Sequence, residues 1–431
     1  MRIAVVGSGI SGLVAAHLLS QRHQVTLFEA ADRLGGHTNT VDVRDAGGRE
    51  FAVDTGFIVF NERNYPNFTR LLDELRVATQ PTSMSFSVRC DRTRLEYSSE
   101  SLFAQRRNFV RPSYWRMLLD VVRFHRLAPA ALGHDDDGLV LGRFLEEGRF
   151  SRSFIDRHII PMGAAIWSTD PVSMMRFPAA YFIRFFQNHG LLSLYGQPRW
   201  RVIRGGSRSY LGPLTRPFRD GIRTSSRVER ISRKQWAVEI VAAGAAPEAF
   251  DHVVLACHSD QALAMLADPS APEREVLGAL RYQRNEAVLH TDTGLLPRRR
   301  AARAAWNYHV TERPGPVSVT YDMNRLQGLV ADHTFSGTPH RSEDIRPERV
   351  LRRFVYEHPV YTPEAVAAQR RHGEISGRQR TSFCGAYWGY GFHEDGVDSA
   401  LRVAAAFDIV PAWQSQPTTS TTTPRLRPVA A

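Results

Sequence analysis

The first thirty residues combine a continuous apolar run with a helical spacing of apolar positions. Residues 3–6 form a short uninterrupted apolar run, which is typical of a strand buried on both faces of a parallel sheet. A glycine-rich stretch follows at 7–12, then apolar residues at helical spacing up to Leu18, and then a second apolar run at 24–29. The order strand, helix, strand predicts a βαβ unit that begins at residue 2.

The rest of the chain divides into helical and extended stretches. Residues 66–77 predict a helix with one apolar face, and residues 102–197 are mostly helical in pattern and rich in aromatic side chains. Further strands are predicted at 200–203, 226–231, 236–241 and 253–256 and between 285 and 321, and a closing helix at 393–406.

A glycine motif lies between the first predicted strand and helix. Gly7, Gly9 and Gly12 form the pattern GxGxxG, with Ile10 and Ser11 between the last two glycines. In such a motif the first glycine makes a tight turn, the second lets a pyrophosphate approach the backbone, and the third lets helix pack on strand. The helix N-terminus favours phosphate. The motif therefore predicts a dinucleotide site.

The segment after the second strand distinguishes between the dinucleotide cofactors that the site could bind. Glu29 ends this strand 17 residues after Gly12, where an acid accepts hydrogen bonds from ribose hydroxyls. Residues 29–38, Glu-Ala-Ala-Asp-Arg-Leu-Gly-Gly-His-Thr, resemble the second signature of the flavoprotein superfamily that contains amine oxidases and phytoene desaturases. The resemblance implies FAD rather than NAD, with Arg33 at the pyrophosphate. The resemblance also implies that the cofactor site includes Ala30, Arg33, Gly35, Gly36, His37 and Thr38.

Four further segments carry the same resemblance. Residues 204–207 resemble a glycine-glycine segment, residues 226–231 a strand whose backbone near Val228 holds the adenine, and residues 251–257 its returning strand. Residues 383–396 resemble the C-terminal flavin motif, in which a helix N-terminus points at the isoalloxazine. This motif implies cofactor contacts at Gly385, Phe392, His393 and Glu394.

Other segments are similar to a narrower bacterial group of amine-oxidase-like proteins that are labelled NAD/FAD-binding. They lie at 54–61, which adds Gly56 and Phe57 to the expected cofactor site, and at 163–168, 323–327 and 384–396. Members of that group are often associated with modification of fatty-acyl chains. For this chain the association is an analogy.

The resemblance implies an α/β fold in which a Rossmann-like FAD-binding domain (GR2-type) is interleaved with a mixed α+β substrate domain. The FAD-binding domain is expected to comprise residues 1–80, 199–270 and 381–412. The substrate domain is expected to comprise 81–198, mainly helical, and 271–380, which forms its sheet. Residues 413–431, rich in threonine and proline, are expected to form a disordered tail.

The sequence departs from its relatives at two places. Amine oxidases of this superfamily usually place a lysine beside the flavin, but the only lysine here, Lys234, lies between two predicted strands on the adenine side. We expect it to be a solvated hairpin residue. Gly385 is followed by Ala386, where an acid is usual, so one cofactor contact would come from backbone or solvent. Because no second GxGxxG is visible, no separate NAD(P)H domain is expected. The acceptor that reoxidises the flavin is oxygen, a quinone or a protein carrier, and the sequence does not distinguish among them.

Several side chains are candidates for the chemistry. His393 would favour anionic reduced flavin if its imidazole were protonated at the helix N-terminus; the alternative is a packing residue. Tyr387 and Trp388 would line the substrate face of the flavin or pack in the core. Cys384 is either a covalent flavin attachment point or a buried small residue. His189 is either a substrate-site base or a structural histidine.

Composition and charge argue against nucleic-acid-binding, disulfide-rich and membrane-spanning proteins. The chain has 55 basic and 44 acidic residues and a formal net charge of +11, but no nucleic-acid motif, so we expect no nucleic-acid partner. Three cysteines lie far apart and form no CxxC, so we expect neither a disulfide framework nor a thiolate metal site, and a reducing cytoplasm is favoured. No apolar stretch is long enough to span a bilayer, and the N-terminus does not resemble a signal peptide.

Residues 106–126 interleave arginines with apolar and aromatic residues. This pattern suits a helix at the interface of an anionic membrane, so peripheral membrane contact is one interpretation. The alternative is an amphipathic helix packed on its own core.

The leading hypothesis is an FAD-dependent oxidoreductase that oxidises or desaturates an apolar substrate, a fatty-acyl chain or another lipid. The alternatives are a flavin-containing amine oxidase with a relocated base, and a non-catalytic flavin- or lipid-binding protein.

Overall fold

The fold is described by a computed structural model of the 431-residue chain. It describes residues 1–133, 138–167, 169–192, 196, 198–312 and 318–414. The tail expected at 413–431 lies outside the described residues from residue 415 onwards.

The strands are β1 Arg2–Val6, β2 Gln24–Phe28, β3 Thr40–Arg44, β4 Glu50–Asp54, β5 Val59–Asn61, β6 Thr79–Pro81, β7 Phe86–Cys90, β8 Leu95–Ser98, β9 Trp200–Ile203, β10 Ile222–Arg223, β11 Val228–Arg233, β12 Val238–Ala242, β13 Glu248–Phe250, β14 His252–Leu255, β15 Arg281–His290, β16 Trp306–Val310, β17 Ser318–Asp322, β18 Ser336–Pro339, β19 Val350–Val360 and β20 Thr381–Phe383.

The α-helices are α1 Ile10–Leu19, α2 Pro66–Glu74, α3 Pro112–Leu127, α4 Leu141–Glu147, α5 Arg152–Phe154, α6 Ile160–Trp167, α7 Pro171–Met175, α8 Ala179–Asn188, α9 Leu211–Thr215, α10 Ser259–Met265, α11 Ala271–Gly278, α12 Met323–Gln327, α13 Pro363–Arg370, α14 His372–Ile375 and α15 His393–Ala405. A π-helical turn spans Ile155–Ile159. Short 3₁₀ turns lie at Arg106–Val110, Ala128–Gly133, Ser207–Tyr210, Arg216–Gly221, Thr293–Leu295, Arg300–Ala302, Ser342–Asp344, Pro347–Arg349, Ala386–Trp388 and Ala412–Gln414.

β1 lies at the centre of a five-stranded parallel sheet with the order β10-β2-β1-β14-β20. Helix α1 connects β1 to β2, which confirms the predicted βαβ unit. β14 and β20 come from distant parts of the chain, so this sheet is assembled from separated segments, as an interleaved α/β fold requires.

Both faces of the parallel sheet are covered because alternate side chains of β1 point in opposite directions. Ile3 and Val5 belong to the core cluster that includes residues of α1 and α15. Ala4 and Val6 belong to a second cluster with residues of the antiparallel sheet β11-β12-β13. The continuous apolar run at the start of the chain is thus explained by burial on both sides.

A seven-stranded mixed sheet has the order β19-β15-β18-β17-β16-β7-β8. Its residues Val88, Tyr308 and Val319 share a core cluster with aromatic residues of the helical layer, among them Tyr114 and Phe182. The predicted helical, aromatic-rich region therefore packs on one face of this second sheet.

Helix α3 confirms the helix predicted within 106–126, preceded by a 3₁₀ turn at Arg106–Val110. Tyr114, Met117 and Phe124 are about 1% exposed and pack in the core of the helical layer. The side of α3 that carries them is therefore packed on the protein's own core, as the second interpretation predicts. Among the residues that the structure describes, no helix combines the length and apolar character needed to cross a membrane.

Two predicted boundaries shift for local reasons. The strand predicted at 226–231 begins at Val228, because the N–H groups of Ser225 and Ser226 first donate to the carbonyls of Ala31 and Glu29 at 2.8 Å. The helix predicted at 66–77 ends at Glu74, because Arg76 adopts a left-handed conformation with φ of 56°.

Candidate active site

A cavity of about 990 Å³ lies at the carboxyl ends of β1, β2 and β14 and extends to the face of β15 and β19. Ligands of open parallel sheets bind at this edge. The wall contains most of the residues predicted for the cofactor: Gly7, Gly9, Ile10, Ser11, Glu29, Ala30, Arg33, Gly35, Gly36, His37, Gly56, Phe57, Val228, Gly385, Phe392 and His393.

The three glycines of the first motif meet different surroundings. A Cβ on Gly7 would lie 2.8 Å from the carbonyl oxygen of Ala256, and one on Gly12 would lie 2.0 Å from that of Gly7. These two glycines are therefore required by the fold itself. A Cβ on Gly9 would meet no protein atom within 4 Å, and no side chain caps the N-terminus of α1 at Gly9. The open space before Gly9 and this uncapped helix end fit a pyrophosphate.

The loop after β2 is held in shape around the cavity. The Glu29 carboxylate accepts hydrogen bonds from the Ser8 N–H at 2.9 Å and from the Ala31 N–H at 2.8 Å. The Arg33 guanidinium donates to the carbonyl oxygen of Gly36 at 3.0 Å, and Gly36 itself has a φ of 56°. This tight turn brings the backbone close to the glycine motif, since a Cβ on Gly36 would lie 3.2 Å from the Gly9 Cα.

The N-termini of two helices meet at the cavity. Gly396 lies in the first turn of α15, and a Cβ there would come 2.7 Å from Ile10 Cγ2 and 2.9 Å from Ser11 Oγ, both in the first turn of α1. Each helix N-terminus carries partial positive charge. Their convergence suits an anionic group such as a pyrophosphate or a reduced flavin.

His393 lies in the cavity wall, but its charge differs from our expectation. Burial lowers the pKa of His393 to about 3, so the imidazole is neutral at physiological pH. The ring is stacked on Phe57, and Nε2 lies 3.1 Å from Thr38 Oγ1. The expected protonated imidazole is thus corrected to a neutral one, because no acid among the described residues offsets the cost of burial. Its role beside the flavin stays a prediction.

Of the two aromatic candidates that precede α15, one lies in the cavity wall. Tyr387 lines the cavity, and burial raises its pKa well above the usual range. Trp388 instead packs in the core, edge-on to His372 with ring centroids 4.5 Å apart. The tight 3₁₀ turn over Ala386–Trp388 points neighbouring side chains in different directions. Of the two alternatives for Trp388, core packing is therefore the one that the structure supports.

Three residues of the predicted cofactor segments do not line the cavity. The Glu394 carboxylate accepts hydrogen bonds from the Asn67 N–H at 3.0 Å and the Phe68 N–H at 2.9 Å, so it caps α2 rather than facing the cavity. Thr38 is buried and contacts His393, whose ring it positions. Gly12 allows α1 to pack closely on the loop before it.

The other candidates are placed as follows. Lys234 is exposed, and its N–H donates to the Ala237 carbonyl in the hairpin between β11 and β12, as predicted. Cys384 is fully buried in the core, in agreement with the simpler interpretation. His189 lines the cavity, and its Nδ1 lies 2.9 Å from the Phe185 carbonyl oxygen, so it both ends α8 and faces the site.

Sequence reasoning missed a cluster of imidazoles and polar side chains on the far wall. His37 lies 5.1 Å, between ring centroids, from both Tyr356 and His358. Burial lowers the pKa of His358 to about 4 and that of His37 well below its usual range. Nε2 of His37 is buried without a hydrogen-bond partner among the described residues. It is therefore available to form a hydrogen bond with a group bound in the cavity. Phe354, Tyr356 and His358, at alternate positions of β19, all line the cavity.

The end of the cavity between the helical layer and the seven-stranded sheet is apolar. Its wall is formed by side chains from β7, β16, β17, α6, α8 and α12 and from nearby loops: Met84, Phe86, Met162, Ile166, Trp167, Phe185, Leu191, Trp306, Tyr321 and Met323. We call this end the apolar chamber. Within the described ranges, no group of His, Cys, Asp and Glu is arranged to hold a metal ion.

The residues present fit FAD. The open cradle at Gly9, the two helix N-termini and the unpartnered His37 nitrogen lie along one cavity, with the apolar chamber beyond them. The groups that would hold the cofactor are the backbone of the first glycine motif, Glu29, Arg33, the backbone at Val228 and the start of α15.

Comparison with solved structures shows the same fold at low identity. The chain is similar to putrescine oxidase with bound putrescine (14% identity, TM-score 0.67, 95% of this chain and 99% of that one). It is also similar to cyclohexylamine oxidase from Brevibacterium oxydans IH-35A (16%, TM-score 0.67, 94% and 98%). A CLA-producing fatty acid isomerase from P. acnes is similar too (15%, TM-score 0.65, 95% and 99%).

Sequence comparison points to the same superfamily. A segment of 40 residues is 55% identical to the L-amino-acid oxidase of Pseudechis australis, covering 9% of this chain and 8% of that protein. The family model described as flavin containing amine oxidoreductase matches residues 10–292, which is more than half of the chain. The chain therefore belongs to the flavin-containing amine oxidoreductases, and its cofactor is FAD.

Proposed function

We propose that this FAD-dependent oxidoreductase oxidises or desaturates an apolar substrate, in particular a fatty-acyl chain. The observation that carries the proposal is the apolar chamber, which is walled by methionine, aromatic and aliphatic side chains. Burial contributes about 0.8 kcal/mol per methylene group, so a long chain binds there without a charged anchor. The fold is compatible with such a ligand, because a protein of the same fold is a fatty acid isomerase.

Two carboxylates in the cavity wall, those of Asp54 and Glu29, are engaged by hydrogen bonds within the protein. Asp54 accepts hydrogen bonds from Thr40 Oγ1 at 2.6 Å and from the Ser207 N–H at 2.8 Å, and burial raises its pKa to about 6. Glu29 accepts from backbone N–H groups, and Glu357 lies 3.4 Å from the His258 ring. A cationic amine would find its strongest partner in an unpaired carboxylate, so this arrangement disfavours one.

Hydrogen-bond donors in the chamber wall also favour an acyl substrate. The indole N–H groups of Trp167 and Trp306 are buried and have no partner within the described part of the chain. A buried N–H group without a partner costs free energy, which a hydrogen bond to an acceptor on the substrate would recover. The carbonyl oxygen of an acyl group accepts hydrogen bonds, whereas an ammonium group only donates them.

FAD supplies the hydride acceptor when it is bound. The chain itself would hold the substrate in the apolar chamber and exclude water from it. The first turns of α1 and α15 would favour negative charge on the cofactor. Tyr387 and the neutral ring of His393 would fix the wall next to it.

Anaerobic mixing separates the candidate functions. We would add phospholipid extracts, free fatty acids, and a panel of primary amines and polyamines to the FAD-loaded protein and follow the flavin absorbance. The proposal expects bleaching by a lipid and none by amines. Bleaching by amines alone would establish an amine oxidase. Lipid that co-purifies without ever bleaching the flavin would indicate a non-catalytic lipid-binding protein.

A further inference from the structure

Exposed hydrophobic side chains concentrate in one short part of the chain. Seven of the thirteen large hydrophobic side chains that are exposed in the described ranges lie between residues 102 and 127. Most surface hydrophobic residues occur singly, and a cluster of this kind marks an interaction site. We call this cluster the α3 face: Leu102, Phe109, Val110, Trp115, Leu119, Val122 and Leu127.

The α3 face has a defined shape. Trp115, Leu119 and Val122 follow the spacing i, i+4, i+7 on the side of α3 opposite to the buried side chains. The preceding 3₁₀ turn is joined to the helix, because Trp115 Nε1 donates to the carbonyl oxygen of Phe109 at 2.9 Å. Phe109 is 56% exposed and Leu119 is 60% exposed. The exposed side of the turn and the exposed side of the helix are thus joined at this contact.

The exposed charges within residues 101–127 have a single sign. Arg106, Arg107, Arg116 and Arg126 are exposed beside the apolar side chains. Between residues 101 and 127 the only acid is Asp120. Its side chain is fully buried and is hydrogen-bonded to the Ser151 N–H at 2.9 Å. The outer surface of this segment therefore offers cations and apolar side chains without an exposed carboxylate.

We propose that the α3 face docks the protein on an anionic lipid bilayer. An amphipathic surface with tryptophan, phenylalanine and leucine beside arginines is the combination that binds at the headgroup level. Tryptophan is favoured at this depth, and each arginine near an anionic surface adds attraction. The absence of an exposed acid among residues 101–127 favours an anionic bilayer over a second copy of this chain.

The buried side of α3 connects this surface with the cavity. Met162, Ile166 and Leu191 pack against the same core cluster as Tyr114 and Met117 of α3, and they also line the apolar chamber. If the proposed function holds, docking on this face would bring the helical layer that walls the chamber to the source of an acyl substrate. The docking itself does not depend on that function.

Vesicle binding tests the proposal with the full-length, FAD-loaded protein. Sedimentation is measured with vesicles of phosphatidylcholine alone and of phosphatidylcholine with phosphatidylglycerol in equal parts. The apolar variant carries Phe109→Gln and Leu119→Gln, and its control carries Trp236→Gln and Val330→Gln at exposed positions elsewhere. The charge variant carries Arg106→Gln and Arg107→Gln, and its control carries Arg298→Gln and Arg299→Gln.

We expect the wild type and both controls to bind the mixed vesicles more strongly than phosphatidylcholine vesicles. The apolar and charge variants should each lose about tenfold or more in partitioning to the mixed vesicles. Unchanged flavin absorbance and thermal midpoint would show that the variants are folded.

Equal binding by all variants, or no preference for anionic vesicles, would overturn the proposal. A dimer in light scattering that the apolar variant dissociates would assign the face to a second copy. Because no turnover is measured, a failure here is distinct from a failure of the proposed function.

Discussion

His393 is stacked face to face on Phe57, with ring centroids 3.6 Å apart and planes inclined by 13°. On its edge, Nε2 meets the hydroxyl groups of Thr38 at 3.1 Å and of Tyr210 at 3.4 Å. The ring that begins α15 is therefore held by an aromatic contact and hydrogen bonds while it remains uncharged. It contributes shape at the cavity wall, and the positive character of the site comes from the helix ends.

Replacing His393 with alanine removes both the stacked ring and the partner of Thr38. We expect reduction of the bound FAD to slow by roughly tenfold or more because the cavity wall beside it loses its fixed shape, with the flavin potential and substrate binding little changed. Anaerobic stopped-flow and dye equilibration measure these quantities. Because the wild-type ring is neutral, the potential should follow pH in parallel in both proteins between pH 5 and 8. A pH step that only the wild type shows would mean that His393 is protonated in function.

Replacing Gly9 with valine should abolish FAD binding without unfolding the protein. The backbone at Gly9 has a φ of −65°, which any residue adopts, and a Cβ there meets no protein atom within 4 Å. The side chain would fill only the space that a pyrophosphate needs. Flavin content after reconstitution and the thermal midpoint of the apoprotein report the two effects. Gly373→Val, at another open glycine in α14, is the control and should retain FAD.

Replacing Lys234 with methionine should leave substrate turnover and flavin reoxidation within a few-fold of the wild type. The side chain is exposed in the hairpin between β11 and β12 and is absent from the cavity wall. Steady-state kinetics under air and stopped-flow reoxidation test this. A loss of orders of magnitude would instead assign to Lys234 the role of the amine-oxidase lysine.

Replacing Trp306 with phenylalanine keeps an aromatic ring in the chamber wall and removes one unpartnered N–H group. If that group donates to an acyl carbonyl, KM for the acyl substrate should rise by up to about tenfold, the worth of one neutral hydrogen bond. Trp413→Phe is a matched control, because its indole N–H is also buried without a partner among the described residues but lies in the core around α1 and α2. Equal KM values in the two variants would contradict the donor role.

The free energy of unfolding should fall as the pH decreases from about 6.5 to about 4. Burial lowers the pKa of His158, His252, His290 and His358 to about 4, below the usual 6.5. In this window the unfolded chain binds protons that the folded chain does not, so lower pH favours unfolding. His252→Gln should reduce the slope by at most about 1.4 kcal/mol per pH unit. Urea titrations at several pH values measure it, and an unchanged slope would show that His252 is protonated when folded.

The cofactor half of the site was predictable because its signals are local. Gly9 and Glu29 lie in short segments whose spacing is set by a strand, a turn and a helix, so position in the sequence fixes position in space. The continuous apolar run of β1 likewise identified the strand at the centre of the parallel sheet.

The far wall was not predictable, because it depends on strand register. Asn285 and Tyr356 are partners in the antiparallel pair β15–β19, and both line the cavity. A shift of one residue would turn the opposite set of side chains inward, and nothing local in the sequence sets that register. Side-chain direction near helix ends failed for a similar reason: Glu394 faces α2, and Trp388 faces the core, although both lie within the recognised motif.

The contact between Gly396 and Ser11 has a consequence for biosynthesis. The two halves of the cofactor cradle are translated at opposite ends of the described chain, and β20, which precedes α15, pairs with β14 only after residue 383 has left the ribosome. A nascent polypeptide that has not yet reached α15 offers the coenzyme a glycine turn but no second helix to close on it. Closure of the cradle on the coenzyme must therefore follow translation of α15, and this long-range closure belongs to the late, slow steps of folding.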